Sequence, residues 1–239
     1  MIIEIFGKED VIKDCLGTLN SLPKGFVPVY FSENEGDFDR ENDNWENEEK
    51  RNAFISNNSL GFFLQSEFCK IDVSYSGNES SIFFEITKKK AFEQAKDVLC
   101  MFSKYDIDYA YASMWEERLY RNGLVKDIGP STIENWVGRD YKRYLPGIYW
   151  GNLISVNMFK ALKLDCSTFI KKSYSSCKVN ENFYFFQMFE KATEWQDFAP
   201  ELDEVCENTS GVFSKWKIWD EIDKIEDEKE YFATCSKWP

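Results

Sequence analysis

Histidine is absent from all 239 residues. That removes Ser-His-Asp and Cys-His nucleophilic machinery, HExxH zinc sites and any imidazole base. Seven cysteines occur, at 15, 69, 100, 166, 177, 206 and 235, but none as a Cys-x-x-Cys pair, so no compact set of zinc ligands exists. An odd number of scattered cysteines reads as reduced and mostly buried thiols. No two glycines are spaced as Gly-x-Gly, which excludes the dinucleotide fingerprint and the Walker loop. Ser-x-x-Lys occurs at Ser21 and Ser214 without its companion motifs, as chance allows. Long apolar runs are lacking as well. The opening MIIEIFGKED has neither a basic region nor a signal-length apolar core, and the uncharged window 144–159 is interrupted by Pro146, Gly147 and Gly151. The expectation is a cytoplasmic protein with no metal or cofactor, left with carboxylates, lysine, tyrosine and unassisted cysteine for any catalysis.

What is present is aromatic and acidic. Phe, Trp and Tyr make up 17% of the chain, enough for a core of large flat side chains. Charged residues make up 30%, and prolines number six, which argues for a folded chain. Net charge is −13 and the pI about 4.7, a balance that repels nucleic acid and anionic membranes and attracts basic partners. The acidity is concentrated. Residues 32–50, SENEGDFDRENDNWENEEK, hold nine acids against two bases, and 220–230 carries net −5, whereas 160–178 has five lysines and one acid, Asp165.

Strand composition marks FVPVYF (26–31), LGFFLQS (60–66), CKIDVSYS (69–76) and SIFFEIT (81–87). Ile71, Val73 and Tyr75 alternate with polar neighbours, and the turn 76–79 predicts a hairpin. Phe92, Ala95, Leu99 and Phe102 change to helical spacing across 88–104. A strand at 107–113 and a short helix ending at Asn122-Gly123 follow, with Glu117 and Arg121 four apart. Pro146-Gly147 predicts a turn into an aromatic strand or helix entry at 148–154, and 156–164 a short helix. The strand 183–190 precedes a helix within 195–213 that carries Phe198, Leu202, Val205 and Cys206. Ile218, Ile222 and Ile225 predict one last acidic helix over about 215–231. This order predicts an α+β fold, a largely antiparallel β-sheet covered by helices, in one domain (1–239) with two loosely similar halves.

The segment WVGRDYKRYLPGIYWGNLIS (136–155) resembles one in bacterial immunity proteins that neutralise type VI secretion effectors and other polymorphic toxins, where a PGxYWxN-like core recurs. EERLYRNG (116–123) upstream and NFYFFQMFEKATEWQD (182–197) downstream resemble the family's flanking elements. The resemblance implies a non-enzymatic cytoplasmic protein that binds and blocks one toxin, and the long acidic stretch departs from the family's usual pattern.

On this reading the partner is a cognate toxin or effector, basic in character as nucleases are, with neither nucleic acid nor membrane bound directly. The candidate contact surface is the acidic stretch: Asp37, Phe38, Asp39, Glu41, Asp43, Trp45, Glu46, Glu48 and Glu49. Phe38 and Trp45 either pin this stretch to the domain or anchor the partner. Pro146, Gly147, Tyr149 and Trp150 are expected to form a turn and packed core, and Arg121, Arg139 and Asp140 an internal ion-pair network. Glu116 and Glu117 beside Arg118 and Arg121 offer the one compact mixed-charge group for a carboxylate enzyme, although the expected state is solvated helix charge. A calcium module is a third reading. Asp37, Asp39, Glu41, Asp43 and Glu48 match EF-hand positions one, three, five, seven and twelve, with Asn42 where glycine belongs.

Overall fold

Strand β1 (Ile2–Gly7) is buried along its whole length, and helix α1 (Glu9–Leu19) follows after one residue. The computed structural model describes residues 1–39, 43–77 and 80–239. After α1 come β2 (Tyr30–Ser32), α2 (Glu48–Asn57) and the meander β3 (Gly61–Gln65), β4 (Cys69–Ser74) and β5 (Ser80–Ile86). Helix α3 (Ala95–Met101) lies between two 3-10 turns, and β6 (Tyr109–Ser113) leads into α4 (Trp115–Asn122). The hairpin β7 (Gly123–Ile128) and β8 (Ser131–Trp136) precedes β9 (Gly151–Ser155), α5 (Val156–Ala161) and α6 (Cys166–Lys172). Strands β10 (Ser175–Lys178) and β11 (Phe183–Gln187) are followed by α7 (Trp195–Asn208), α8 (Lys215–Ile222) and α9 (Glu228–Cys235).

The fold is α+β. Among the described residues, nine strands form one largely antiparallel sheet in the order β10-β11-β9-β6-β1-β5-β4-β3-β2, and β7 and β8 pair separately. Two compact units divide the chain: 1–112 with 153–155 and 177–185, and the remainder, 113–152, 156–176 and 186–239.

In the first unit, the pleat sends alternate residues to opposite faces of the sheet. Leu64, Ile71, Val73, Ile82, Phe84, Ile3 and Ile5 occupy one face, all buried. Ile12, Cys15 and Leu19 of α1 and Val98 and Leu99 of α3 are buried with them. Phe63, Asp72, Phe83 and Glu4 occupy the other face as successive cross-strand partners: Phe63 faces Asp72, Asp72 faces Phe83, and Phe83 faces Glu4. The second unit has its own core of Leu124, Ile133, Val137, Phe213, Ile218, Ile222 and Tyr231, with Trp219 and Trp238 packed against it.

Several sequence expectations change here. Of FVPVYF only Tyr30 and Phe31 are strand; Val29 N still donates to Gln65 O of β3 at 2.7 Å, and before it Pro28 has no N–H to contribute. The expected turn of the β4–β5 hairpin includes Asn78 and Glu79, which lie outside the described residues. Helical spacing across 88–104 gives a short α-helix between two 3-10 turns rather than one continuous helix. The expected last helix is two helices. α8 stops at Ile222, Ile225 stays buried in the connection, and the Asp227 side chain caps α9 by accepting from Glu230 N at 2.9 Å. None of the seven cysteines is paired; Cys15, Cys69, Cys206 and Cys235 are buried, and burial pushes the Cys15 and Cys69 thiols up to about 12. Among the described residues no helix is long and apolar enough to cross a membrane.

Candidate functional site

The acidic stretch is anchored to the domain at Trp45. Trp45 is 2% exposed, and its indole Nε1 donates to Asn20 Oδ1 at 2.7 Å. Its backbone N–H donates to Val29 O at 2.8 Å, and Asn44 bridges to Tyr30 beside it. Arg51 holds the other side, donating to Trp45 O at 3.2 Å with its guanidinium over the indole. Of its two expected roles, Trp45 therefore takes the internal one: it pins the stretch and is no surface anchor.

The last acids of the stretch begin a helix. Asn47 caps α2 by accepting from Lys50 N at 3.1 Å, and Glu48 and Glu49 fill the first turn, where the helix dipole favours negative charge. α2 buries no residue fully; Phe54 attaches it, its ring centroid 4.4 Å from that of Phe31. Asp37, Asp39, Glu46, Glu48 and Glu49 are exposed, while Asp43 and Phe38 are half-buried. Glu41 lies outside the described residues. Among those described, Glu33, Asp37, Glu46, Glu48 and Glu49 make no ion pair. The calcium reading meets a strand, β2, where an EF-hand needs an entering helix, and its fifth and sixth positions lie outside the described residues.

Next to this ridge the outer face of the sheet forms a cleft. Glu35, Gly36 and Phe38 border it on one side, and Phe63, Lys70, Asp72, Phe83 and Glu85 make its floor and walls. Lys70 Nζ lies 3.7 Å from Glu35 and 4.0 Å from Glu85, both exposed pairs of small energetic weight. The carboxylate of half-buried Asp72 has no hydrogen bond or ion pair among the described residues. Burial raises its pKa above the ordinary carboxylate range, and the like charges of Glu35 and Glu4 raise it further. Glu4 is buried and accepts the Tyr111 hydroxyl at 2.5 Å.

The second unit holds a buried polar cluster. α4 turns Glu117 (0% exposed), Arg118 (7%) and Arg121 (5%) inward, which overturns the expectation of solvated helix charge for these three, while Glu116 is exposed as expected. Arg121 Nε lies 3.4 Å from Glu117 Oε1, and its Nη1 donates to Asp203 of α7 at 2.9 Å. Asp203 also accepts from the Tyr120 hydroxyl at 2.7 Å and Trp216 Nε1 at 3.2 Å. Glu117 Oε2 and Arg121 Nη2 are buried without a hydrogen-bond partner among the described residues. Complete burial pushes Glu117 up to about 7 against the pull of Arg121. Burial also pushes Lys215 down to about 8; its ammonium sits over the Tyr120 and Trp216 rings and donates to Gly123 O at 3.3 Å. Arg118 stacks on Trp136, 4.5 Å from the ring centroid, and Arg139 lies over the same ring at 5.9 Å.

The motif residues complete this interior. Pro146, Gly147, Tyr149 and Trp150 are all buried. Asn122 donates to Val137 O at 2.9 Å and Pro146 O at 2.8 Å, and its Oδ1 accepts the Tyr149 hydroxyl. A Cβ on Gly147 would come within 3.1 Å of Arg121 Cδ, so a bare backbone lets the arginine pass. Trp150 Nε1 donates to Glu190 O at 3.4 Å. Arg121 thus has Glu117 and Asp203 as its ionic partners; Asp140 Oδ1 instead accepts Lys142 N at 3.0 Å, and Arg139 N and Asp140 N both donate to Pro239 O at 2.9 Å.

Sequence reasoning missed Asn122 and Asp203 as hubs, since bonds spanning 24 and 82 residues leave no local pattern. It also missed Asp72, although the alternation of Ile71 and Val73 already placed it on the opposite face of the strand. Comparison with protein-family models, curated proteins and solved structures gave no match.

Proposed function

We propose that this chain is an immunity-type inhibitor, a cytoplasmic, non-catalytic protein that binds a basic bacterial toxin or secreted effector and blocks it. The observation that carries the reading is the anchored acidic ridge. Trp45, Asn47 and Phe54 fix the backbone under Glu46, Glu48 and Glu49, the Ser32 hydroxyl donates to Asp37 O at 2.6 Å in the turn that carries Glu33 and Asp37, and those carboxylates have no ionic partner among the described residues. Fixed, uncompensated charge of one sign steers an oppositely charged protein and selects it, at little entropic cost to the surface that presents it. The resemblance at 136–155 supports the same reading at the level of fold, since those residues are spent on packing.

The reading is tested in cells. The product of the neighbouring reading frame should arrest growth when expressed alone, and co-expression of this chain should restore growth. Arrest that this chain fails to relieve contradicts it.

A carboxylate-dependent enzyme is the second reading. One observation favours it: Tyr120, Arg121, Asp203 and Lys215 line one small pocket, where Lys215 is displaced from its ordinary pKa and Arg121 leads to the displaced Glu117. Against it, Glu117 is wholly buried against Arg121, and Asp203 already accepts three donors.

A further inference from the structure

We infer that the cleft on the outer face of β3, β4 and β5 receives an arginine side chain of the protein partner, its guanidinium stacked on Phe63 and Phe83 and paired with the carboxylate of Asp72. The inference rests on the inhibitor reading and gives that partner a specific contact.

The register supplies the geometry. Phe63, Asp72 and Phe83 are direct cross-strand partners, so one carboxylate stands between two rings on a single face. Neighbours in such a row have Cβ atoms roughly 5 Å apart. That spacing suits a planar cation lying on aromatic carbon with its N–H edge at an acid. Phe38 borders the cleft from the ridge, and Glu35 and Glu85 stand beside Lys70.

The charge points the same way. Glu35, Asp72 and Glu85 face one lysine, and Lys70 lies within ion-pair distance of the two exposed carboxylates. The Asp72 carboxylate, the half-buried one, is left with neither a cation nor a hydrogen bond among the described residues. Burial and the like charges of Glu35 and Glu4 act against its ionisation, and an incoming cation relieves the repulsion. Arginine fits better than lysine. Its guanidinium is flat, is weakly hydrated, stacks on rings and bonds a carboxylate with two parallel donors, whereas an ammonium is a compact, strongly hydrated point charge.

The test titrates the full chain at low salt with capped hexa-arginine and hexa-lysine peptides, read by calorimetry. Hexa-arginine should bind the more tightly, and Asp72→Asn should weaken it about ten-fold, in line with the strength of a charge-assisted hydrogen bond. The triple variant Glu46→Gln, Glu48→Gln, Glu49→Gln, on the ridge outside the cleft, should change hexa-arginine binding less than Asp72→Asn does. Asparagine is nearly isosteric with aspartate and removes a repelled charge, so the variant should keep its fold; Phe63→Leu, which removes the stacking surface and keeps an apolar side chain, supplies a second reading. Equal affinity for the two peptides, or no effect of Asp72→Asn and Phe63→Leu, overturns the inference. The toxin assay separates the two claims. Rescue by Asp72→Asn as complete as by the native chain removes the cleft and leaves the inhibitor reading. Cleft-dependent peptide binding without rescue by the native chain retains a basic-peptide site and removes the inhibitor.

Discussion

Glu117 and Arg121 show how far one buried pair departs from the solvated charges that a short polar helix suggests. Because burial raises the Glu117 pKa from 4.5 to about 7, the native state holds more protons than the unfolded chain between those values. Stability therefore falls as pH rises across that window. Glu117→Gln should flatten that slope and leave the protein at least as stable as native at pH 8, measured by urea unfolding over a pH series. Arg121→Met works in the opposite sense. It leaves Glu117 buried and takes from Asp203 its cationic donor, and should cost about 3–5 kcal/mol at neutral pH. An Arg121→Met variant with native stability would show that the cluster contributes nothing to the fold. The sequence made the i,i+4 spacing of the pair visible but not its burial, because Asp203, Tyr120 and Trp216 join it from distant parts of the chain.

Elements were legible in proportion to their periodicity. β3, β4 and β5 alternate cleanly and were placed almost to the residue, and α7 carries its apolar stripe in plain view. α2 went unseen because it has no apolar stripe: its ten residues, EEKRNAFISN, include none that is fully buried. β1 is buried at every position and so has no alternation to read, and the β7–β8 hairpin mixes charged and apolar residues around Gly129-Pro130. α2 is held by an N-cap and by Phe54, and the ridge before it by Trp45. Asn47→Ala should cost about 0.5–2 kcal/mol of local stability. Trp45→Ala should release residues 43–57 as a unit. Hydrogen exchange should quicken across 43–57 in both variants, with β4 and β5 as protected as in the native chain. Uniform loss of protection would instead make Trp45 a determinant of the whole fold.

At the scale of the whole molecule, the net charge is −13, and Glu46, Glu48 and Glu49 stand on backbone anchored by Trp45 and Asn47; the proposed recognition rests on that charge. The composition showed this chain's own acidity and where along the sequence it is densest. It did not show that the ridge borders an aromatic cleft, since Phe38, Asp72 and Phe83 meet only when the meander forms. Complementary charge acts chiefly on association, and its effect fades when salt shortens the Debye length to about 8 Å. The decisive measurement is the association rate of this chain with the product of the neighbouring reading frame, compared between the native chain and the triple variant Glu46→Gln, Glu48→Gln, Glu49→Gln across a salt series. Proposed recognition by the acidic ridge requires the native rate to fall steeply with salt and the variant to associate more slowly, with dissociation little changed. Identical rates and a flat salt dependence would contradict it.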